Sequence, residues 1–304
     1  MSAIRVILNG KKAILEEVRE AIFAARAHGN IDIRVTFEGG DAARFVKEAI
    51  NDGCTRIVAA GGDGTINELT NALMKSSADT KPELAILPLG TANDFATACH
   101  VPSSLFDALM LALKGNSYPV DCIQAGEDYF INVASCGFGA QVTTNTPVAL
   151  KNFLGGGAYT ISGLVQALNF EPFQGTFSLP DQDANRHIIV AAICNGRQAG
   201  GGQVLAPIAC IDDGLMDIVS FSQFTKDDLH QVLSEIRDPM ISGRFIERVQ
   251  VNKASWTSKA AIPINLDGEP ITTNNIDFEV HRRSLNLVLP DDCPLLTCNQ
   301  PQAQ

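Results

Sequence analysis

The N-terminal third of the chain alternates short apolar runs with segments whose apolar residues repeat at helical spacing. The apolar runs are IRVILNG (4–10), IDIRVTF (31–37), RIVAA (56–60) and ELAILPLG (83–90). Between them, apolar residues recur three and four positions apart, as in residues 14–25 and 42–50, and a glycine follows each of these two segments. Strands that alternate with helices fold into right-handed βαβ units around a mainly parallel sheet. We therefore predict an α/β domain, whose last helix covers residues 104–115.

The character of the sequence changes after about residue 120. Short strand candidates such as DYFINVAS, HIIVAAIC, LMDIVSFS and IDFEVHR follow one another, separated by turns rich in Gly, Asn, Asp and Pro. This pattern is typical of antiparallel β structure. We expect helical interruptions near residues 145–170 and 226–237, and a loose C-terminal tail. The predicted boundary lies near Asp121, giving domains over residues 1–121 and 122–304, with the C-terminal segment able to pack back on the first domain.

Composition excludes several classes of protein. The 304 residues carry a formal net charge of −11, which argues against a nucleic-acid partner and against bulk attraction to an anionic membrane. Any contact with lipid must therefore be local and apolar. The eight cysteines are scattered and form no CxxC pair, so a zinc site is disfavoured and reduced thiols in a cytoplasmic protein are expected. Neither a secretory signal nor an apolar run long enough to span a bilayer is present, which predicts a soluble protein.

A glycine-rich turn follows the third apolar run, in AAGGDGTINELTNAL (59–73). Backbone N–H groups converge in such a turn and the helix N-terminus adds positive potential, so Gly61, Gly62, Gly64 and Thr65 suit a phosphate. The alternative is a tight corner in which glycine supplies a positive φ. Asp63 weighs against a simple corner, because an acid beside phosphates must order water, hold Mg²⁺ or accept a proton.

The two best-known nucleotide motifs are missing. The sequence has no GxxxxGK[ST] motif and therefore no Walker lysine, and no predicted strand is followed by GxGxxG. The sequence therefore does not favour a P-loop NTPase or a dinucleotide-dependent hydride-transfer enzyme.

A second turn, LPLGTANDFA (87–96), also follows an apolar run and opens a helix-like segment. Thr91 offers a hydroxyl, while Asn93 and Asp94 could be ordinary helix caps. Open α/β sheets bind ligands at the carboxyl ends of their strands, where both turns would lie. The pair of turns therefore favours a ligand site.

Two further segments carry carboxylates. In LDGEP (266–270), Asp267 and Glu269 flank a glycine, which is compatible with a proton acceptor for a hydroxyl nucleophile but also with a simple hairpin turn. In IDDGLMD (211–217), acids cluster in a turn that could bind a metal or simply face solvent.

Together, GGDGTINE and LPLGTANDFA resemble the diacylglycerol kinase catalytic domain family, most closely its bacterial YegS-type lipid kinases. The resemblance continues in order through INVASCGFGA (131–140), NGRQAGGG (195–202), PIACIDDGLMD (207–217) and NLDGEP (265–270). It implies an α/β N-terminal domain of the NAD kinase and phosphofructokinase type, with a β-sandwich-like second domain across a cleft. It also implies transfer of the γ-phosphate of ATP, with Mg²⁺, to a membrane lipid hydroxyl during transient contact with the membrane.

The resemblance also implies site residues. The nucleotide contacts would be Thr36, Gly62, Asp63, Gly64, Thr65, Ile66, Asn67, Glu68 and Thr91. Asp63 would face the phosphates through metal or water, Asp94 would lie nearer the acceptor, and Asp267 or Glu269 would be the base. Asp213 and the backbone carbonyls of Cys210 and Leu215 would hold Mg²⁺. The segment NGRQAGGG could be a loop near the cleft in which Arg197 offsets phosphate charge, or equally a plain flexible loop. The rival hypotheses are a soluble-substrate kinase of the NAD kinase type and a nucleotide-binding regulator without catalysis. The sequence does not determine the lipid or the oligomeric state.

Overall fold

The computed structural model describes residues 4–137, 168, 171–180, 182–238, 240 and 242–299. The chain forms two compact units. The first comprises Met1–Cys122 and Arg282–Gln304, and the second comprises Ile123–His281. The C-terminal segment therefore belongs to the same unit as the N-terminus.

The first unit is built on a parallel sheet. Its strands are β1 (Ile4–Asn9), β2 (Ile31–Thr36), β3 (Arg56–Gly61) and β4 (Glu83–Pro88), in the spatial order β2-β1-β3-β4. The end of the last strand, β15 (Glu269–Val288), pairs in parallel with β4 through Leu287 and Leu84. The central strands are almost entirely buried, as expected for a parallel sheet covered on both faces.

The α-helices that the structure describes in this unit are α1 (Glu16–Ala25), α2 (Asp41–Asn51), α3 (Asp63–Lys75), α4 (Asp94–Ala98) and α5 (Leu105–Lys114). Local sequence sets their ends. Ser104 caps α5 by accepting a hydrogen bond from the N–H of Asp107 at 3.4 Å, and Gly115 follows its last residue. Gly40, at a φ of 90°, precedes α2 in a conformation that favours glycine.

The second unit is antiparallel. Its strands are the end of β5 (Ser117–Ala125), β6 (Asp128–Phe130), β7 (Val133–Gly137), β8 (Phe173–Leu179), β9 (Gln182–Cys194), β10 (Gln198–Ala199), β11 (Gln203–Val204), β12 (Met216–Ser222), β13 (Ile246–Val251), β14 (Lys253–Leu266) and most of β15. The order is β13-β12-β9-β7-β14-β15, and β8 also pairs with both β9 and β14. Residues 226–237 are helical as predicted, with a 3₁₀ turn at Lys226–Asp228 leading into α6 (Leu229–Arg237).

The described residues of the second unit form three apolar clusters. The largest includes Phe130, Phe177, Trp256 and Phe278, the second lies beneath α6 around Phe221, and the third gathers small and aliphatic residues around Leu205. Together with the parallel sheet of the first unit, this β-rich unit confirms the predicted fold class. The helix predicted near residues 145–170 lies outside the described residues.

Candidate functional site

The carboxyl ends of four parallel strands meet at one edge of the first unit. The register places Asn9 opposite Thr36 and Gly61 opposite Pro88. Because β1 and β3 are also paired in parallel, the turns that follow all four strands share this edge. Thr36 and the two predicted ligand turns therefore lie along the same edge of the sheet.

The first turn opens α3 without help from a capping side chain. Gly62 occupies the N-cap position with φ −97° and ψ −167°, and its carbonyl accepts the N–H groups of Thr65 and Ile66 at 2.9 and 3.1 Å. A glycine N-cap leaves the approach to the helix N-terminus open, where the aligned peptide dipoles attract an anion. The turn therefore has the backbone arrangement of an anion site.

The glycines of this turn are not there for a positive φ. None of Gly61, Gly62 and Gly64 has a φ in the left-handed region. A Cβ on Gly61 would lie 2.2 Å from Thr65 Oγ1, so packing within the chain explains that glycine. A Cβ on Gly64 would meet no atom within 4 Å. No contact within the described protein accounts for the missing side chain at Gly64.

The second turn packs directly against the first. A Cβ on Gly90 would lie 2.6 Å from Gly62 Cα, so only glycine permits the two backbones to approach this closely. The Asn93 side chain closes the second turn, since its Oδ1 accepts the N–H of Gly90 at 2.8 Å and its Nδ2 donates to the Gly90 carbonyl at 2.9 Å. Asn93 adopts φ 51°, a conformation that asparagine tolerates better than most residues.

Asp63 joins the two turns electrostatically. Its carboxylate accepts the backbone N–H groups of Asp94 and Phe95, at 3.4 and 3.3 Å, and so caps α4 from the first turn of α3. Burial raises the pKa of the Asp63 carboxyl, and the charge of Asp94 acts in the same direction, while the N–H of Phe95 opposes the rise. The sequence-based hypothesis gave Asp63 a role toward phosphate, whereas in the structure its hydrogen bonds go to the second turn.

The other predicted nucleotide contacts differ in how accessible they are. Thr91 and Glu68 are exposed, and Thr36 is half-buried. Ile66 and Asn67 are buried within α3, at 1% and 4% exposure, so their side chains face the interior and not a ligand. Asp94 is also buried.

Asp267 and Glu269 occupy very different environments in the second unit. The Asp267 carboxylate accepts three consecutive backbone N–H groups, from Ile131 at 2.8 Å, Asn132 at 3.2 Å and Val133 at 2.7 Å. Asp267 has φ 47° and the following Gly268 has φ 110°, which forms the tight hairpin between β14 and β15. Asp267 thus fastens this hairpin to the segment that leads into β7, whereas Glu269 is exposed at the start of β15.

The loop that follows residue 209 brings acids close to one another. Asp213 Oδ1 accepts the N–H of Leu215 at 2.9 Å, and Gly214 turns the chain at φ 82°. Burial raises the pKa of the Asp217 carboxyl to about 6, and the charge of Asp213 adds to this rise, although the Gln250 amide opposes it. Burial also raises the pKa of the Cys210 thiol to about 11. At neutral pH the Cys210 sulfur is therefore protonated and a poor metal ligand.

A metal in this loop would depend on oxygen ligands. Within the described ranges, no three His, Cys, Asp or Glu side chains are placed to hold a metal together. One carboxylate combined with backbone carbonyls and water is a ligand set that suits Mg²⁺. Because Asp213 raises the pKa of the nearby Asp217, the loop concentrates negative charge, which fits a hard cation. Arg197 contacts the residue just before this loop, with Nε donating to the Ala209 carbonyl at 2.9 Å.

Sequence reasoning missed two asparagines at these sites. Asn9 ends β1 beside Thr36, and its Nδ2 lies 3.5 Å from Thr65 Oγ1. Asn132 supplies one of the N–H groups bound by Asp267, and its side chain donates to the Gln198 carbonyl at 3.0 Å. An Asn-Gly pair directly after a buried strand was the available signal for Asn9. Asn132 gave no such signal, because its partners are distant in sequence.

Two family models match successive parts of the chain. A family model described as the diacylglycerol kinase catalytic domain matches residues 3–125, and one described as the YegS C-terminal NAD kinase β sandwich-like domain matches residues 132–289. A protein of Shewanella frigidimarina (strain NCIMB 400), named "Probable lipid kinase YegS-like", is 49% identical over 97% of this chain and 96% of its own length. The chain belongs to the diacylglycerol kinase catalytic domain family.

Other members of this family are similar over nearly their whole length. A Chromohalobacter salexigens protein of the same name is 45% identical, over 96% of this chain and 94% of its own. A solved structure of a diacylglycerol kinase from Bacillus anthracis str. Sterne has a TM-score of 0.73 at 20% identity, covering 96% of this chain and 98% of that one. At that identity the likeness concerns the fold. Among the described residues, no helix has the length and apolar character required to cross a bilayer.

Proposed function

We propose that this protein is an ATP- and Mg²⁺-dependent lipid kinase, which transfers the γ-phosphate of ATP to a lipid hydroxyl. The lipid would be diacylglycerol, phosphatidylglycerol or a related lipid with a free alcohol. The proposal combines family membership with the two glycine turns at the carboxyl edge of the parallel sheet.

Gly64 is the observation that carries the nucleotide part of the proposal. Its backbone is helical, and a side chain there would meet nothing in the described protein. Alanine is favoured over glycine within a helix by about 1 kcal/mol. Gly64 thus disfavours the helix, and no packing contact requires a glycine there. Its presence is explained if a phosphate occupies the space that a side chain would fill. The contact between Gly62 and Gly90 supports the same assignment, because it places the second turn beside that space.

In this proposal the nucleotide lies along the carboxyl edge. The backbone of Gly62–Glu68 faces the phosphates, and Thr36 and Thr91 add contacts from the neighbouring strand ends. Thr65, Ile66 and Asn67 contribute through their backbone and through the packing of α3, since their side chains are buried. Asp63 positions the second turn, and Asp94, at the start of α4, lies on the acceptor side.

We assign the proton acceptor to Glu269. Three N–H groups already occupy most of the Asp267 lone pairs, and accepting a proton there would disrupt at least one of these bonds. Glu269 is exposed and only two residues away, so it can take the proton of the lipid hydroxyl as the phosphoryl group is transferred. Asp267 then acts as a positioning residue, because it fixes the turn that carries Glu269.

The loop of residues 210–217 would hold Mg²⁺ through the Asp213 carboxylate and the Cys210 and Leu215 carbonyls. When bound, the ion would offset the negative charge of that loop. We also place the protein in the cytoplasm, where ATP is available and thiols stay reduced. None of the seven cysteines with described side chains is in a disulfide, which supports this assignment.

The test is an assay of purified protein with labelled ATP, Mg²⁺ and a panel of lipids in mixed micelles, with NAD as a soluble acceptor. We expect label in one or more lipids and none in NAD. Glu269→Gln should lose most of the turnover, by about 10²–10⁴-fold, with a near-normal KM for ATP. Phosphorylation of NAD alone would favour the soluble-substrate rival. ATP binding without transfer to any acceptor would favour a regulator.

A further inference from the structure

β2 forms one side of the parallel sheet in the first unit. Among the described strands it pairs with β1 alone, so its other side is open to a further strand. An open edge is a template for pairing with another chain, and proteins often interrupt such an edge with a proline or a bulge. β2 has the sequence IDIRVT, without proline or glycine, and its register with β1 is continuous from Ile31 to Thr36. The edge is therefore regular enough to accept a strand.

The two faces of β2 have different characters. Asp32 and Arg34 lie on the face toward α2, where their side chains pair at 2.7 Å and Arg34 Nε is 3.6 Å from Glu48. Ile33 and Val35 lie on the face toward α1 and line a groove of about 540 Å³ with side chains of that helix. One face of the edge strand is thus charged, and the other is apolar.

The most exposed phenylalanines among the described residues lie beside this groove. Phe23 of α1 lines the groove and is 79% exposed, and Phe37, directly after β2, is 89% exposed. Asp41 holds Phe37 in place, because its Oδ2 accepts the Phe37 N–H at 2.8 Å. A phenylalanine that becomes buried covers about 150–250 Å², and a stable interface covers about 800 Å² per copy. These two side chains would therefore supply about half of an interface.

The sequence of β2 is complementary to a second copy of itself. A twofold axis through Ile33 would pair β2 with the β2 of another copy in antiparallel fashion. Each Asp32 would then face the Arg34 of the other copy, and on the opposite face Ile31 would face Val35. An axis through Asp32 or through Arg34 would instead place identical charges opposite each other. Charge therefore selects the register centred on Ile33.

The other charges beside the edge are balanced. The groove is lined by two acids and two bases, Glu16, Glu20, Arg19 and Arg26. The twofold axis would make the two α1 helices antiparallel, so the acidic start of each would lie toward the Arg26 end of the other. Glu38, next to Phe37, would fall opposite His28 of the second copy. On the α2 face, Arg34 donates to described residues through Nη1 only, so its Nη2 is available to the second copy.

We propose that this protein forms a twofold dimer through β2, in which two parallel sheets join across an antiparallel pair of edge strands. Phe37 of each copy would extend past the start of β2 in the other copy, on the face that carries Phe23. The carboxyl edges of the two sheets would point in opposite directions, so the copies would not share a nucleotide site. The inference is independent of the proposed lipid kinase function, because it rests on the edge strand and its test needs no substrate.

Sedimentation equilibrium over a range of protein concentrations tests the dimer. We expect the wild type to reach twice the mass of one chain. Phe23→Ser and Phe37→Ser should each weaken association by at least about tenfold, since each substitution removes two apolar side chains from a symmetric interface. Arg34→Glu should also weaken association, because it places an acid opposite each Asp32. Arg282→Glu is the matched control, since it reverses an exposed arginine on β15, on the other side of the sheet, and should leave association unchanged.

Two cysteine variants test the register. Ile33→Cys would place two thiols opposite each other on the axis, whereas Val35→Cys, on the same face, would separate the thiols by four residues, or about 13 Å. Mild oxidation should therefore link Ile33→Cys into a dimer on a non-reducing gel and should link Val35→Cys no more than the wild type. The proposal is overturned if the phenylalanine and Arg34 variants associate like the wild type, or if the two cysteine variants cross-link equally. A wild type that stays monomeric at every concentration would also overturn it and would leave the edge to a different partner.

Discussion

Replacing Gly64 by alanine separates a phosphate cradle from a structural turn. In the structure, the added Cβ would meet no atom within 4 Å, and the backbone at this position is already helical. Alanine should therefore stabilise the first unit by about 0.4–1 kcal/mol, because it reduces the freedom of the unfolded chain. The same methyl group would intrude on the space where we place a phosphate, so ATP affinity should fall by at least about tenfold, or ~1.4 kcal/mol.

Two measurements check this opposition of stability and binding. Differential scanning calorimetry of the ATP-free protein should show a Tm raised by about 1–4 °C, given 2–4 °C per kcal/mol for a unit of this size. Isothermal titration with ATP and Mg²⁺ should show the loss of affinity. Gly39→Ala is the control, since Gly39 also has open space at its Cβ position and no positive φ. If Gly64→Ala bound ATP as tightly as Gly39→Ala does, Gly64 would not face a phosphate and the cradle would have to be relocated.

Three more substitutions probe the remaining contacts. Gly90→Ala would place a Cβ 2.6 Å from Gly62 Cα. We therefore expect thermal unfolding to show about 1–3 kcal/mol of destabilisation, together with weaker ATP binding. Unchanged stability would show that the two turns can separate freely. Asp267→Asn removes a charged acceptor from three N–H groups and should lower the free energy of urea unfolding by about 1.5–3 kcal/mol. Glu269→Gln should change it by less than about 0.5 kcal/mol. Equal stabilities of the two variants would contradict the positioning role given to Asp267 alone. The pKa of the Asp41 carboxyl is lowered to about 2. Its contribution to stability is therefore complete above the unfolded pKa near 3.8 and is lost as the pH falls toward 2. Asp41→Asn should flatten the pH dependence of the urea midpoint in that range, and an unaltered slope would refute the lowered pKa of Asp41.

The parallel sheet was predictable because each of its strands is a continuous apolar run. The runs RIVAA and ELAILPLG correspond to β3 and β4, which are buried on both faces, so the sequence needs no alternation to mark them. Helical spacing and glycine stops similarly located α1 and α2. The fold class followed from these local signals and is confirmed.

The roles of the carboxylates were much less predictable. Asp63 and Asp94 are 31 positions apart in sequence, and nothing in either segment indicates that the side chain of one accepts the backbone N–H of the other. The three N–H groups bound by Asp267 come from a segment about 135 positions earlier. Motif resemblance predicts that these acids are site residues, but the proposed division between positioning and proton-accepting roles depends on tertiary contacts.

The two glycine turns are held against each other, which would allow the proposed phosphate site to dispense with a P-loop lysine. Asp63 holds the start of α4, and the Gly62–Gly90 contact prevents the second turn from moving toward the first. The N-terminus of α3 lies at this edge of the sheet and contributes partial positive charge, whereas the N-terminus of α4 is already capped by the Asp63 carboxylate. In the proposal, Mg²⁺ supplies the remaining positive charge. A side chain larger than hydrogen at Gly62 or Gly90 would separate the turns, so the loss of either glycine should affect ATP binding even if the substituted residue never touches the nucleotide.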